Sequence, residues 1–166
     1  RPGIVFWWSR YEIHQRWVDG RVVGPDEDAF WAAQERDLRA TIDRLTATGA
    51  TLVIAQTERP GLGMSTRCTA EGCHPLYDLM MNHDEYRRRW NDLVARVAES
   101  DDRVRTFRLD PLLCADPEPP EPRSPSSCDD LVDGALLRPD GSHVEPRFGQ
   151  DVAGRVWEAL IAAGSR

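Results

Sequence analysis

Asp140 and His143 stand three residues apart in the stretch Arg138-Pro139-Asp140-Gly141-Ser142-His143. At that spacing a carboxylate can fix the tautomer of an imidazole and stabilise its cation. The imidazole can then act as general base toward a serine hydroxyl. The same residues also spell an ordinary Asp-Gly turn, with His143 as a polar surface residue. The second chemical group is cysteine, at Cys68, Cys73, Cys114 and Cys128. These form two sequence-local pairs in or beside loop-like stretches, which points to two small disulfide loops and an oxidising compartment. Four cysteines allow three connectivities, and the sequence does not choose among them. A zinc site from Cys68, Cys73, His74 and one distal cysteine is the rival reading, although its spacing departs from the usual C-x2-C. Two free thiol pairs in a cytosolic protein are a third. His14, His74 and His83 show no partner spacing that assigns them a role.

The elements that must position these groups belong to a chain of 166 residues, a length suited to one domain. Hydrophobic residues make up 40% and charged residues 30%, which excludes wholesale disorder and collagen-like structure. No apolar run approaches the roughly 18–20 residues of a membrane-spanning helix. The net charge is −7, from 28 acidic and 21 basic residues, and a nucleic-acid partner is not expected from that balance. Every basic residue is arginine.

Gly3-Ile4-Val5-Phe6-Trp7-Trp8 is a continuous apolar run, the pattern of a strand buried on both faces of a parallel sheet. Pro25, Asp26, Glu27 and Asp28 mark a helix start. Trp31, Leu38, Ile42 and Leu45 give that helix its apolar stripe, and Gly49 ends it. Thr51–Ala55 reads as a second buried strand. Residues 57–81 read as a long loop. Asn82 and Glu85 have the spacing of a capping box, and Tyr86, Trp90, Leu93, Val94 and Val97 make the apolar face of the helix behind it. Val104–Leu109 reads as a third strand. The Pro-rich stretch from Asp116 to Ser127 is a loop, and 131–137 holds a short extended segment. Phe148, Val152, Val156 and Leu160 mark a last helix ending at Gly164. Trp7, Trp31, Trp90 and Trp157 are expected in the core.

Strand–helix alternation predicts an α/β fold, a three-layer α/β/α sandwich around a parallel sheet. Three strands leave two open edges, and an apolar run at an edge is a template for aggregation. Gly3–Trp8 is therefore expected at the centre, beside at least one strand absent from this sequence.

The stretch from Arg138 to Pro146, with Gly149 and an amphipathic helix after it, resembles the last block of the SGNH (GDSL-type) hydrolases. The opening Phe6-Trp7-Trp8-Ser9-Arg10-Tyr11-Glu12, the paired cysteines and Asp110-Pro111-Leu112-Leu113-Cys114 are similar to the SGNH domain of actinobacterial acyltransferase-3 proteins. The likeness covers residues 3–163, and only Asp-x-x-His is a sharp motif. It implies a flavodoxin-like SGNH fold in one domain over 1–166, with its amino-terminal strands and nucleophile block missing. Asp140 and His143 would be the acid and base of a Ser-His-Asp triad. Departures are plain: there is no Gly-Asp-Ser, no evident oxyanion glycine, and Ser9-Arg10-Tyr11-Glu12 stands where the family has Gly-x-Asn-Asp. Ser9, Arg10 and Glu12 are thus candidates for oxyanion or substrate binding. Arg10 serves as a permanent donor or as an ion-pair partner of Glu12.

The function implied is an O-acyltransferase or esterase acting on acylated carbohydrate or cell-envelope glycan. Its serine lies outside this chain, and it needs neither metal nor cofactor. The expected partners are an acyl donor, a glycan-like acceptor, and a membrane acyltransferase domain or companion amino-terminal segment. The expected location is extracytoplasmic. Loops 57–81 and 115–130 would shape acceptor access. The alternative is a noncatalytic SGNH-like module that binds a glycan or a partner.

Overall fold

The structure, a computed structural model, describes residues 3–9, 12–69 and 72–165. In chain order, β1 (Ile4–Trp7) is followed by a hairpin of β2 (Arg16–Val18) and β3 (Arg21–Val23), then α1 (Asp28–Thr46) and β4 (Thr51–Gln56). A 3-10 helix, Leu62–Arg67, leads into a second hairpin, β5 (Cys68–Thr69) and β6 (Gly72–Cys73). After it come α2 (Pro75–Asn82), α3 (Asp84–Ser100), β7 (Val104–Arg108) and the short α4 (Asp110–Leu113). A third hairpin, β8 (Leu131–Val132) and β9 (Ala135–Leu136), precedes a 3-10 turn at Pro146–Phe148 and α5 (Gly149–Gly164).

The fold is mixed α/β. Its main sheet is parallel, in the order β1-β4-β7, with Val5 opposite Leu52 and Ile54 opposite Thr106. Parallel neighbours need crossovers, and α1 and α3 supply them. Both helices pack on one face, where Phe30, Trp31, Leu38, Ile42, Trp90, Leu93, Val94 and Val97 enclose Leu52 and Ile54. On the opposite face α5 lays Val152, Val156 and Leu160 against Val53, Ala55, Phe6 and Phe107. Leu52, Val53, Ile54 and Ala55 are all buried, which explains why β4 reads as an unbroken apolar run. Leu52, Val53 and Ile54 each contribute roughly 1.5–3 kcal/mol of burial free energy.

β4, not β1, is the central strand among the described residues. β1 lies at the edge, and all four of its residues are only half-buried. Its apolar run matches that of a covered strand, yet one side of it has no described neighbour. Residues 57–81 are not one loop; they contain the 3-10 helix, the β5–β6 hairpin and most of α2. The capping box is not formed either. α3 starts at Asp84 without a side-chain cap, and the Asn82 amide instead donates to Asp78 and accepts from Ser124. Two expected core positions are exposed: Leu45, and Trp157 at 62% of its surface. Trp157 lines an open trough between α5 and β1, together with Ile4 and Phe6.

Disulfides join Cys68 to Cys73 across the β5–β6 hairpin and Cys114 to Cys128 across the Pro-rich loop. The zinc alternative is thereby excluded for these sulfurs. Both bonds fit an oxidising, extracytoplasmic setting. Among the described residues no helix is long and apolar enough to cross a membrane.

Candidate active site

The turn bearing Asp140 and His143 lies at the carboxyl ends of the parallel strands, where open α/β sheets place ligands. Two buried ion pairs fix it there. Arg138, fully buried, donates through Nε to Asp130 Oδ2 at 3.1 Å and through Nη1 to the carbonyl of Arg59 at 2.8 Å. Arg59, on the segment after β4, donates through Nε to Asp110 Oδ2 at 2.7 Å, at the start of α4. Burial of Arg138 lowers the pKa of its guanidinium, and Asp130 offsets part of that effect. The Cys114–Cys128 bond closes the same layer, with Cys128 Sγ 3.1 Å from Arg138 Nη2.

Glycine is required at two close approaches. Gly141 has φ +77°, and a Cβ there would lie 2.4 Å from the backbone nitrogen of Met64. Its carbonyl accepts the N–H of Gly61 at 2.9 Å. A Cβ on Gly63 would lie 2.1 Å from the carbonyl oxygen of Pro139. The 3-10 helix after Gly61 and the Asp140 turn are thus packed backbone to backbone.

Within the turn Asp140 is fully engaged. Its Oδ1 accepts the backbone N–H groups of Ser142 at 2.9 Å and His143 at 2.7 Å. Its Oδ2 lies 2.7 Å from His143 Nδ1 and also accepts from Arg67 Nη2. Partial burial would raise the carboxyl pKa. The bonds from the His143 ring, the two backbone N–H groups and Arg67 outweigh that and hold it well below the usual carboxylate range. An ionised carboxylate only accepts, so the proton of the His143–Asp140 bond belongs to Nδ1. In the neutral ring Nε2 then carries the lone pair. The His143 side chain is 82% exposed, so this nitrogen is accessible.

Arg67 had no signal in the sequence, because its partner lies 73 positions away. It also donates through Nε to the carbonyl of Asp140 at 3.0 Å and through Nη1 to the Tyr77 hydroxyl at 2.6 Å. Its guanidinium carbon stands 5.0 Å from the centre of the Tyr77 ring. Arg59 is equally hidden, 51 positions from Asp110, whereas Tyr77 and Arg138 lie within ten positions of their partners but follow no periodic pattern that would mark them.

His143 sits between two cavities. One, about 260 Å3, is walled by Trp8, Ser9, Arg67, Tyr77, Met80 and Ser142. The other, about 890 Å3, is an apolar trough running along β1 and α5 past Ile4, Phe6, Val156, Trp157, Leu160 and Ile161. Ser9 is thus brought to the same cavity as His143. Its side chain hydrogen-bonds Glu12, as does that of Trp7. Glu12 does not wall either cavity, and burial raises its carboxyl pKa. Arg10 lies outside the described residues. No group of three or more metal-ligating side chains is assembled among the described residues.

No protein-family model matches the chain, and neither a curated protein nor a solved structure is detectably similar to it.

Proposed function

We propose that this chain is the base-bearing part of an SGNH-type acyl-ester enzyme, an O-acyltransferase or esterase acting on acylated carbohydrate or envelope glycan. The observation that carries the reading is the His143 Nδ1–Asp140 Oδ2 contact at 2.7 Å, with the imidazole exposed between two cavities at the carboxyl end of the sheet. A serine hydroxyl presented to Nε2 would lose its proton there and attack the acyl carbonyl; the ester C–O bond would then break, the imidazolium returning the proton to the departing alcohol oxygen and leaving an acyl-enzyme. His143 would then activate the acceptor hydroxyl or water.

In this reading the serine comes from a segment outside the described residues, seated against the free edge of β1. Two features support that seat. The edge of β1 away from β4 has main-chain groups with no described strand to pair them. Beside it Ala153, Trp157 and Ile161 of α5, at i, i+4 spacing, line a trough shared with Ile4 and Phe6, an apolar stripe that one more strand would cover. With that segment the domain would be a three-layer α/β/α sandwich of flavodoxin-like order.

The test is fluorophosphonate labelling of the full natural polypeptide and of its His143→Ala variant. Labelling that disappears in the variant supports the enzyme. An unlabelled, folded polypeptide removes it and leaves the noncatalytic binding module.

A further inference from the structure

The two sulfurs of the Cys114–Cys128 disulfide differ in access. Cys128 is fully buried. Cys114 is half-buried and stands in the wall of a cavity of about 490 Å3, with Arg108, Pro111, Asp116 and Glu118. That volume is within the roughly 300–1,000 Å3 of small-molecule sites. A reagent entering from solvent therefore meets Cys114 and not Cys128.

Charge divides the pair in the same sense. Arg138 Nη2 lies 3.1 Å from Cys128 Sγ and 3.8 Å from Cys114 Sγ. Asp110 Oδ1 lies 3.8 Å from Cys114 Sγ. A guanidinium is a permanent cation that stabilises a neighbouring thiolate, and a carboxylate opposes one. Negative charge released when the S–S bond breaks is thus better placed on Cys128. In thiol–disulfide exchange the more stable thiolate leaves faster. The two backbones are also held close by contacts other than the bond. The Ala115 N–H donates to the Asp129 carbonyl at 2.6 Å, and the Cys128 N–H to the Pro60 carbonyl at 2.9 Å. Arg59 Nη1 holds the Asp116 carboxylate at 3.0 Å, and Arg88 Nη2 the Pro119 carbonyl at 2.7 Å. Cys128 therefore stays within reach of Cys114 after an exchange.

We infer that Cys114 is a modification site for small-molecule thiols, forming a reversible mixed disulfide with Cys128 as the leaving group. The thiol gives its proton to solvent, and its sulfur attacks Cys114 Sγ. A new S–S bond forms there, the Cys114–Cys128 bond breaks, and its electron pair departs on Cys128 Sγ beside Arg138. The incoming sulfur is oxidised to the disulfide level as Cys128 is reduced to the thiolate, so no further oxidant or reductant enters. Attack by Cys128 on Cys114 reverses the step and releases the thiol. The site does not depend on the acyl-ester reading.

The experiment exposes the full natural polypeptide, folded, to 2-mercaptoethanol, an uncharged probe, for a short time. Acid stops the exchange, N-ethylmaleimide in denaturant caps the free thiols, and mass spectrometry maps the peptides. The mixed disulfide should lie on Cys114 and the maleimide on Cys128, with a rate proportional to thiol concentration. Removing the thiol before the quench should restore the Cys114–Cys128 bond. The double substitution Arg138→Met, Asp130→Leu should slow the exchange about fivefold or more, because the leaving thiolate loses its cation. An adduct on Cys128, an even split between the two sulfurs, or a rate that levels off at that of global unfolding overturns the inference. So does an unchanged rate in the folded double variant. If that variant does not fold, the adduct position and the concentration dependence in the wild type decide.

Discussion

Arg67 and His143 bind the same oxygen of Asp140, the guanidinium through Nη2 and the imidazole through Nδ1. The other oxygen is taken by two backbone N–H groups of the same turn. The carboxylate therefore both orients the imidazole and ties its turn to the segment that follows β4.

Asp140→Asn removes the charge and offers an amide that can donate where only acceptance fits. If the serine reading holds, acyl-ester turnover should fall about 10²–10⁴-fold, with His143→Ala at least as severe. Kinetics on a chromogenic ester, with circular dichroism as the control for folding, checks this. Wild-type turnover in either variant would take the pair out of the mechanism.

Asp140 should stay ionised well into acid. Its folded-state pKa lies below its unfolded value, so its stabilising effect is complete above the usual carboxylate range, about pH 4. That effect is lost only as pH falls through the folded value. The side-chain carboxyl ¹³C signal of Asp140 should therefore show no titration step between pH 7 and about pH 3.5. A midpoint near 4 would contradict the bonding described.

Asp130→Asn leaves the Arg138 guanidinium buried without its counter-charge. Loss of one partner of such a pair costs about 3–5 kcal/mol. Urea denaturation should show it. The double substitution Arg138→Met, Asp130→Leu should recover much of the loss, because it removes both buried charges together.

Gly141→Ala meets two obstacles, a left-handed backbone conformation and the Met64 backbone 2.4 Å from the new methyl. The backbone term alone is about 1–3 kcal/mol. Thermal unfolding should shift down, and the His143 ring signals should move as the turn is displaced. An unchanged spectrum would mean that the turn does not depend on this contact.

Replacing Cys114 and Cys128 by alanine opens a loop of 14 residues' separation and removes about 3 kcal/mol of stabilisation. Guanidinium denaturation measures it. The Cys68–Cys73 pair, separated by five residues, closes a shorter loop and should contribute less.

Local patterning marks β1, β4, β7, α1, α3 and α5 because each strand carries its own apolar run and each helix its own apolar stripe. It also picked out Asp140 and His143, since a bond across three residues is a property of one turn. It placed Trp157 in the core because an i+4 stripe shows that a helix has an apolar side, not how far the sheet beneath it extends. It read 57–81 as loop because Gly, Pro and Cys hide a short 3-10 helix and a hairpin whose stability comes from a disulfide and from contacts elsewhere. The order β1-β4-β7, the edge position of β1, and the convergence of Arg59, Arg67 and Arg138 on the turn were decided only by tertiary structure. Those relations join residues far apart in the chain, through buried charges and backbone approaches that leave no periodic trace in the sequence.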